Sequence, residues 1–419
     1  MLLGFFMKKS IIKTMEGKEK QNFLGYLKSN PPFGYFLLLV LLFFAAQMIT
    51  ELSIGKFELN DFRVYYSAAD NFWKSEPVYG VPFGLETGYF KYSPVVLLLF
   101  SPFTLFPFEL AGAIYYSLNL VLIAFLFYHY FKLIQENFSL ARKHNLVFLL
   151  LLQYSFVGHF LRELHLGNTN LLLLFFVVIL LRFTLKNKFV ISGLLLAILM
   201  LFKPYLAVLI LPLFLAKQFK VLRYGFIFTV GLVLFSLVFF GFSTGFYLHV
   251  DWVKSMKDHS DFLSSNNTIF HIFDRIFHTD SPNQIGLPMY AVFSVILFSV
   301  FRFTHFFKKF NLNQQLLLFS FLLLALLPNF LVTDTEHFLF SFGLISYLCL
   351  YLFEKRKIWP WFIYILLIIF YLGEANLFLP KNIAVEIKLF GTLGIANLLL
   401  VGWAVWAILS TQDKKSKLF

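Results

Sequence analysis

The stretch SPVVLLLFSPFTLFP, residues 93–107, decides the fold. It is apolar, but Pro94 and Pro107 bracket it and Pro102 breaks it. Proline removes a backbone donor and clashes with the preceding turn. The run therefore reads as a re-entrant or interfacial segment, not as one helix through a bilayer. A full span here would invert every later segment. With 93–106 set aside, twelve apolar runs remain, near residues 33–52, 109–131, 146–161, 170–185, 189–202, 204–216, 224–242, 288–301, 313–331, 338–353, 358–373 and 389–410. A hydrocarbon core of about 30 Å takes about 20 apolar residues per helix. Charge supports this count. The segments that then share a face with the N-terminus hold 24 Lys and Arg and 5 Asp and Glu, against 11 and 17 on the other face. An excess of Lys and Arg marks the cytoplasmic side, so both termini are expected there.

Composition agrees. Of 419 residues, 59% are apolar and 14% charged, and Phe alone occurs 60 times. An ordinary soluble domain has roughly 45–50% apolar and about 25% charged residues, so a water-soluble enzyme and a disordered chain are both excluded. The single cysteine, Cys349, excludes a disulfide framework and a Cys-based zinc cluster. The net charge of +13 is distributed as a membrane protein distributes it, not as a nucleic-acid binder does. The expected class is all-α, a polytopic helical bundle that satisfies its own backbone hydrogen bonds in lipid. Residues 1–32 form a basic cytoplasmic segment, 33–410 one polytopic domain with outer segments near 53–108 and 243–287, and 411–419 a cytoplasmic tail. No apolar stretch before the first span suits a cleaved signal, so that span is expected to be retained. No Gly-rich phosphate loop occurs in the short basic loops, which argues against an ATP-driven machine.

Chemistry-bearing residues collect on the outward face. Asp61 and Arg63 follow the first span, with Tyr65 close behind; Tyr92 precedes the proline-bracketed run. Next come Arg162, Glu163, His165, Asn168 and Asn170, then Lys203 before Pro204, Asn266 and Asn267, Arg275, and the pair Glu336-His337. Ionisable groups near membrane depth are costly, which makes them functional candidates. Each has a plainer alternative. Asp61 and Arg63 suit an interfacial ion pair, and Lys203 suits a snorkelling side chain. Asn168 and Asn170 suit helix caps, His337 a satisfied loop histidine, and the tyrosines an interfacial aromatic belt. The Asp258-His259-Ser260-Asp261 stretch matches no strong ligand spacing, and no metal is expected.

Taken in order, these residues resemble a known family. The carriers are Asp61-Phe62 with Val64-Tyr65-Tyr66 and Ala68-Ala69, then Phe90, Tyr92 and Pro94 with the Leu- and Phe-rich run to Pro107. Gly167-Asn168-Thr169-Asn170, Phe202-Lys203-Pro204, Asn266-Asn267-Thr268-Ile269, Arg275 and Glu336-His337 follow. The pattern, over about 58–345, resembles glycosyltransferase family 87, polytopic transferases of the GT-C architecture that include mycobacterial mannosyltransferases. That family usually shows Gly-Gln-x-Asn at 167–170, Asn-Gln-Ser at 266–268, and often two histidines at 336–337. The first two exchanges keep an amide or hydroxyl; the last loses one cation or donor.

The resemblance implies a polyprenyl-phosphate monosaccharide as donor, most often mannose, presented at the outer face of a plasma membrane. It implies a lipid-linked or cell-envelope glycan as acceptor. Asp61 is then the expected general base of one inverting displacement. Arg63, Lys203, Arg275 and His337 are candidates for the donor phosphate. Tyr65, Tyr92, Asn168, Asn170, Asn266, Asn267 and Glu336 are candidates for sugar and acceptor. No cofactor is expected, since the leaving phosphate is already charged and cations lie close. A flippase or transporter of lipid-linked sugars fits twelve spans equally well, although such carriers often show internal repeats and none is visible. A non-catalytic envelope-assembly protein is the third reading.

Overall fold

The computed structural model describes residues 22–83, 88–138, 144–259, 266–269, 271–272, 310–331, 335–355, 357–372 and 380–410. In chain order the helices are α1 (Phe23–Ser29), α2 (Pro31–Ser53), α3 (Asn60–Trp73), α4 (Pro94–Phe100), α5 (Phe108–Asn137), α6 (Asn145–Leu166), α7 (Asn170–Leu185) and α8 (Phe189–Phe202). There follow α9 (Ile210–Leu215), α10 (Phe219–Phe239), α11 (Phe242–His259), α12 (Leu312–Phe330), α13 (Phe342–Lys355), α14 (Trp359–Leu372), α15 (Lys381–Phe390) and α16 (Thr392–Ser410). The described residues contain no strand. The protein is an all-α polytopic membrane protein.

The proline-bracketed run is not one continuous α-helix. Pro94 opens α4, and after seven residues the chain tightens into a 3₁₀ helix over Ser101–Leu105, with Pro102 near its start. Seven helical stretches among the described residues are long and apolar enough to span: Pro31–Ser53, Phe108–Asn137, Asn145–Leu166, Phe219–Phe239, Leu312–Phe330, Thr335–Lys355 and Thr392–Ser410. Several of the other expected runs form shorter helices. α7 has 16 residues and α8 has 14, roughly 24 and 21 Å at 1.5 Å per residue, against about 30 Å of hydrocarbon. The run at 204–216 is a 3₁₀ turn over Pro204–Leu209 followed by α9, because prolines 204 and 212 interrupt it. The run at 288–301 lies outside the described residues.

Lipid-facing and core-facing surfaces separate cleanly. Val230, Leu234, Phe235 and Val238 of α10 and Phe362 and Leu366 of α14 are exposed apolar side chains, as a bilayer requires. The Thr335–Lys355 stretch is almost wholly buried and forms the bundle centre. Aromatic pairs fill the core: Phe33 stacks on Phe131 at 5.5 Å, and Phe62 on Tyr115 at 4.5 Å between ring centroids.

Alternation of the helices brings four polar segments to one end of the bundle: the start of α3, the α6–α7 turn, the Lys203-Pro204 junction, and the segment before α13. Gly167 fixes the first two against each other. It ends α6 in the left-handed region, at φ 66°, where glycine carries no penalty. A side chain there would meet Phe62 Cβ at 2.7 Å and Leu59 Cβ at 3.4 Å. Leu59, buried, is itself left-handed at φ 46° just before α3. Gly167→Ala is expected to cost about 1–2 kcal/mol from the backbone conformation alone, and more from overlap with Phe62. A lowered unfolding temperature in detergent, with parallel loss of activity, checks this.

Candidate active site

Asp61 lies in the first turn of α3, partly exposed. Asn168 donates from Nδ2 to Asp61 Oδ2 at 2.6 Å. The orientation of that amide is fixed by its other end. Asn168 Oδ1 accepts the backbone N–H of Thr169 at 2.6 Å and of Asn170 at 3.2 Å. An amide oxygen taken by two N–H donors leaves only the NH₂ to face the carboxylate. The N-cap position of α7 is Thr169, so Asn168 serves the turn just before that helix and is a positioned donor to Asp61.

The network continues inward. Lys203, 5% exposed, donates to Asn170 Oδ1 at 2.6 Å and lies 3.0 Å from His337 Nε2. A lysine ammonium has donors only, so Nε2 accepts and the ring proton belongs on Nδ1. Lys203 therefore does not snorkel; proline at 204 ends α8 and turns the chain so that the ammonium points into the bundle. Asn170 Nδ2 donates to Glu163 Oε1 at 2.8 Å, and Leu171 N–H to Glu163 Oε2 at 3.2 Å. Glu163, 1% exposed, so caps the start of α7 with both oxygens engaged. Beside it, Arg162 Nε donates to Glu336 Oε1. Asp61, Asn168, Asn170, Lys203, His337 and, through the adjacent Arg162–Glu163, Glu336 converge in one place, from segments up to 276 positions apart in the sequence.

Arg63 is partly exposed. Its guanidinium lies over the Phe108 ring, 4.0 Å from the centroid. Tyr65 and Tyr92 form a wall instead of a stacking platform. Both are 2% exposed, their hydroxyls are 3.1 Å apart, and their rings meet edge to face at 5.2 Å. Burial raises both phenols well above the usual tyrosine range, so both stay protonated near neutrality. A ring in contact with sugar needs an open face, which these lack. Asn267 accepts Gly394 N–H on its side-chain oxygen at 3.1 Å, and its carbonyl accepts from Asn329 at 3.1 Å. Asn266 presses its carbonyl against Gly391 at the start of α16. These two asparagines pin their loop to α16. Arg275 and the Ser260-Asp261 part of the Asp-His-Ser-Asp stretch lie outside the described residues.

The sequence pointed to Glu163 without giving it a role. Its signal is position: a carboxylate in the last turn of a helix that a glycine ends, with another helix start just beyond. Such a group can fold back onto the free N–H groups of that start. The pairing of Arg162 with Glu336, across 174 positions, leaves no local trace.

The site can place one accessible carboxylate beside a fixed amide, with a buried ammonium and an imidazole behind it. The family model of glycosyltransferase family 87 matches residues 90–333, more than half of the chain. It takes in Tyr92, Asn168, Asn170, Lys203, Asn266, Asn267 and Arg275, while Asp61, Arg63, Tyr65 and Glu336-His337 fall outside it. No curated protein matches the chain. The chain belongs to glycosyltransferase family 87, a family of GT-C-type membrane enzymes, and is a membrane-embedded glycosyltransferase acting between a sugar donor and an acceptor.

Proposed function

We propose that this enzyme moves a hexose, in the first instance mannose, from a polyprenyl-phosphate donor to a lipid-linked or cell-envelope glycan at the outer face of the membrane. Asp61 is the general base of a single inverting displacement. The observation that carries this reading is the Asp61–Asn168 hydrogen bond at 2.6 Å, joined through Asn170 to Lys203 and His337. Asp61 and Glu163 are the two carboxylates nearest these amides. Glu163 is sealed, with both oxygens spent on the α7 start. Of the two, Asp61 is the partly exposed one, the one an acceptor hydroxyl can approach.

The base takes the hydroxyl proton as the acceptor oxygen attacks the anomeric carbon. The bond from that carbon to the donor phosphate breaks on the opposite side. Charge then grows on the departing phosphate, where preorganised donors act most strongly. Lys203 and His337 are the buried candidates for this task. Arg63, whose guanidinium lies over Phe108, is a further candidate, since a guanidinium can pair with phosphate through its planar N–H edge. Arg275, as implied by the family resemblance, is the fourth. A long lipid tail suits a groove entered sideways from the bilayer. The flippase reading gains no support from any observation.

Incubating the purified protein with labelled polyprenyl-phosphate-mannose and an envelope lipid extract tests the proposal. Label is expected to enter a larger glycolipid. Label that only changes leaflet in vesicles, or stays on the donor, refutes it. Asn168→Asp supplies a second check. It sets two carboxylates within hydrogen-bond distance, and such pairs share a proton. The ionised base then forms only at higher pH. The acidic limb of the pH–rate profile is expected to move alkaline by about one unit or more, whereas Asn168→Ala lowers the rate without that displacement.

A further inference from the structure

A second site lies at the far end of α8, roughly 20 Å along the helix from Lys203. Two tight turns form it. The α7–α8 turn carries Asn187 in the left-handed region at φ 56°, and the α9–α10 turn carries Lys217 at φ 58°. α8 and α10 run parallel from these turns and pack very closely. A side chain on Gly193 would meet Tyr224 Cβ at 2.4 Å, and one on Gly225 would meet Leu196 at 2.9 Å. This close approach brings the two helix starts side by side. Between them is a cavity of about 380 Å³ lined by Lys188, Lys220, Arg223, Tyr224, Asn187 and Val190, among others.

Three cations thus border one concavity. Among the described residues no carboxylate forms an ion pair with them, whereas nearby Lys186 pairs with Glu136 at 3.3 Å. Aromatic rings hold them in place: Lys188 over Phe183 at 4.8 Å, Lys220 over Phe189 at 5.1 Å and Arg223 beside Tyr224 at 5.4 Å. Immediately along the same helices the surface turns apolar and exposed, at Val190, Ile191, Phe226 and Ile227. A soluble anion has no use for that strip, but the acyl chains of a lipid do. A scatter of surface lysines satisfying the positive-inside bias does not require a shared cavity or rigidly fixed helices.

We propose that this cavity binds the phosphate headgroup of an anionic phospholipid, with its chains on the Val190, Ile191, Phe226 and Ile227 strip. The site is separate from the transfer site and stands whether or not the donor assignment holds. The test is native mass spectrometry of the full chain with dioleoylphosphatidylglycerol, dioleoylphosphatidylcholine as reference lipid, and inorganic phosphate as competitor. The wild-type chain is expected to retain phosphatidylglycerol selectively. Combined Lys188→Gln, Lys220→Gln and Arg223→Gln is expected to weaken retention on the order of a hundredfold. A control with Lys56→Gln, Lys74→Gln and Lys254→Gln removes the same charge elsewhere and is expected to match wild type. If the triple variant does not fold, Arg223→Gln alone is read, with a loss of about fivefold expected. Equal retention in wild type and cavity variant overturns the proposal. So does displacement of the lipid by inorganic phosphate at concentrations comparable to the lipid, which would mark a free-phosphate site.

Discussion

Asp61→Asn is expected to lower transfer by about 10²–10⁴-fold, the usual contribution of a general base. Donor binding and unfolding temperature should stay near wild type. The asparagine is isosteric, and its amide oxygen can still accept from Asn168 Nδ2, held in that orientation by Thr169 and Asn170 N–H. The first turn of α3 and its packing against Gly167 are untouched. What disappears is the capacity to take a proton. Rates with labelled polyprenyl-phosphate-mannose, alongside donor binding by the same variant, separate these terms. Normal turnover refutes the base assignment, and lost donor binding with a lowered unfolding temperature points to a structural role instead.

Lys203→Met carries the second large effect. The ammonium is buried and held by Asn170 and His337, so the substitution keeps the stem and removes the charge. A preorganised donor of this kind is worth about 10²–10³-fold in turnover. Some stability is also lost, since Asn170 Oδ1 loses its donor, about 1–3 kcal/mol for a buried unsatisfied group. The two effects separate kinetically. If Lys203 meets developing charge on phosphate, kcat falls far more than donor affinity, and Lys203→Arg, which restores a cation in a different shape, recovers part of the rate. If Lys203 only braces the Asn170–Glu163 start of α7, Lys203→Arg and Lys203→Met fall together with stability, and kcat tracks the folded fraction.

Much of this arrangement was legible from residues. Pro94, Pro102 and Pro107 announced a broken segment, and the chain there forms a short helix and a 3₁₀ turn. Pro204 announced the split beyond α8. The short α7 and α8 were visible as runs of 16 and 14 residues, and the polar residues Asn170 and Lys203 at their shared end are the ones that meet. Other features have no local signature. Tyr65 and Tyr92 stood as candidates to stack on sugar or line a groove; tertiary packing closes their rings on each other. Asn267 stood as a candidate to orient sugar hydroxyls or its own loop, and its oxygen serves Gly394, 127 positions away. Glu163 was one acid among several until the fold placed α7 above it. Pairings across a hundred or more positions depend on the topology, which periodicity and charge bias order but do not dock.

The claim on which the account rests is that Asp61 and His337 share one pocket at the outer face, opposite the Lys188 cavity. The chain has one cysteine, Cys349, which is buried, so single cysteines can be introduced after Cys349→Ser with little background. Lys74→Cys just after α3 and Leu331→Cys just after α12 report on the first end; Lys188→Cys and Lys217→Cys report on the other. In intact cells a membrane-impermeant maleimide is predicted to label positions 74 and 331, and to reach 188 and 217 only after lysis. Labelling of 74 and 331 from opposite sides of the membrane would contradict the account.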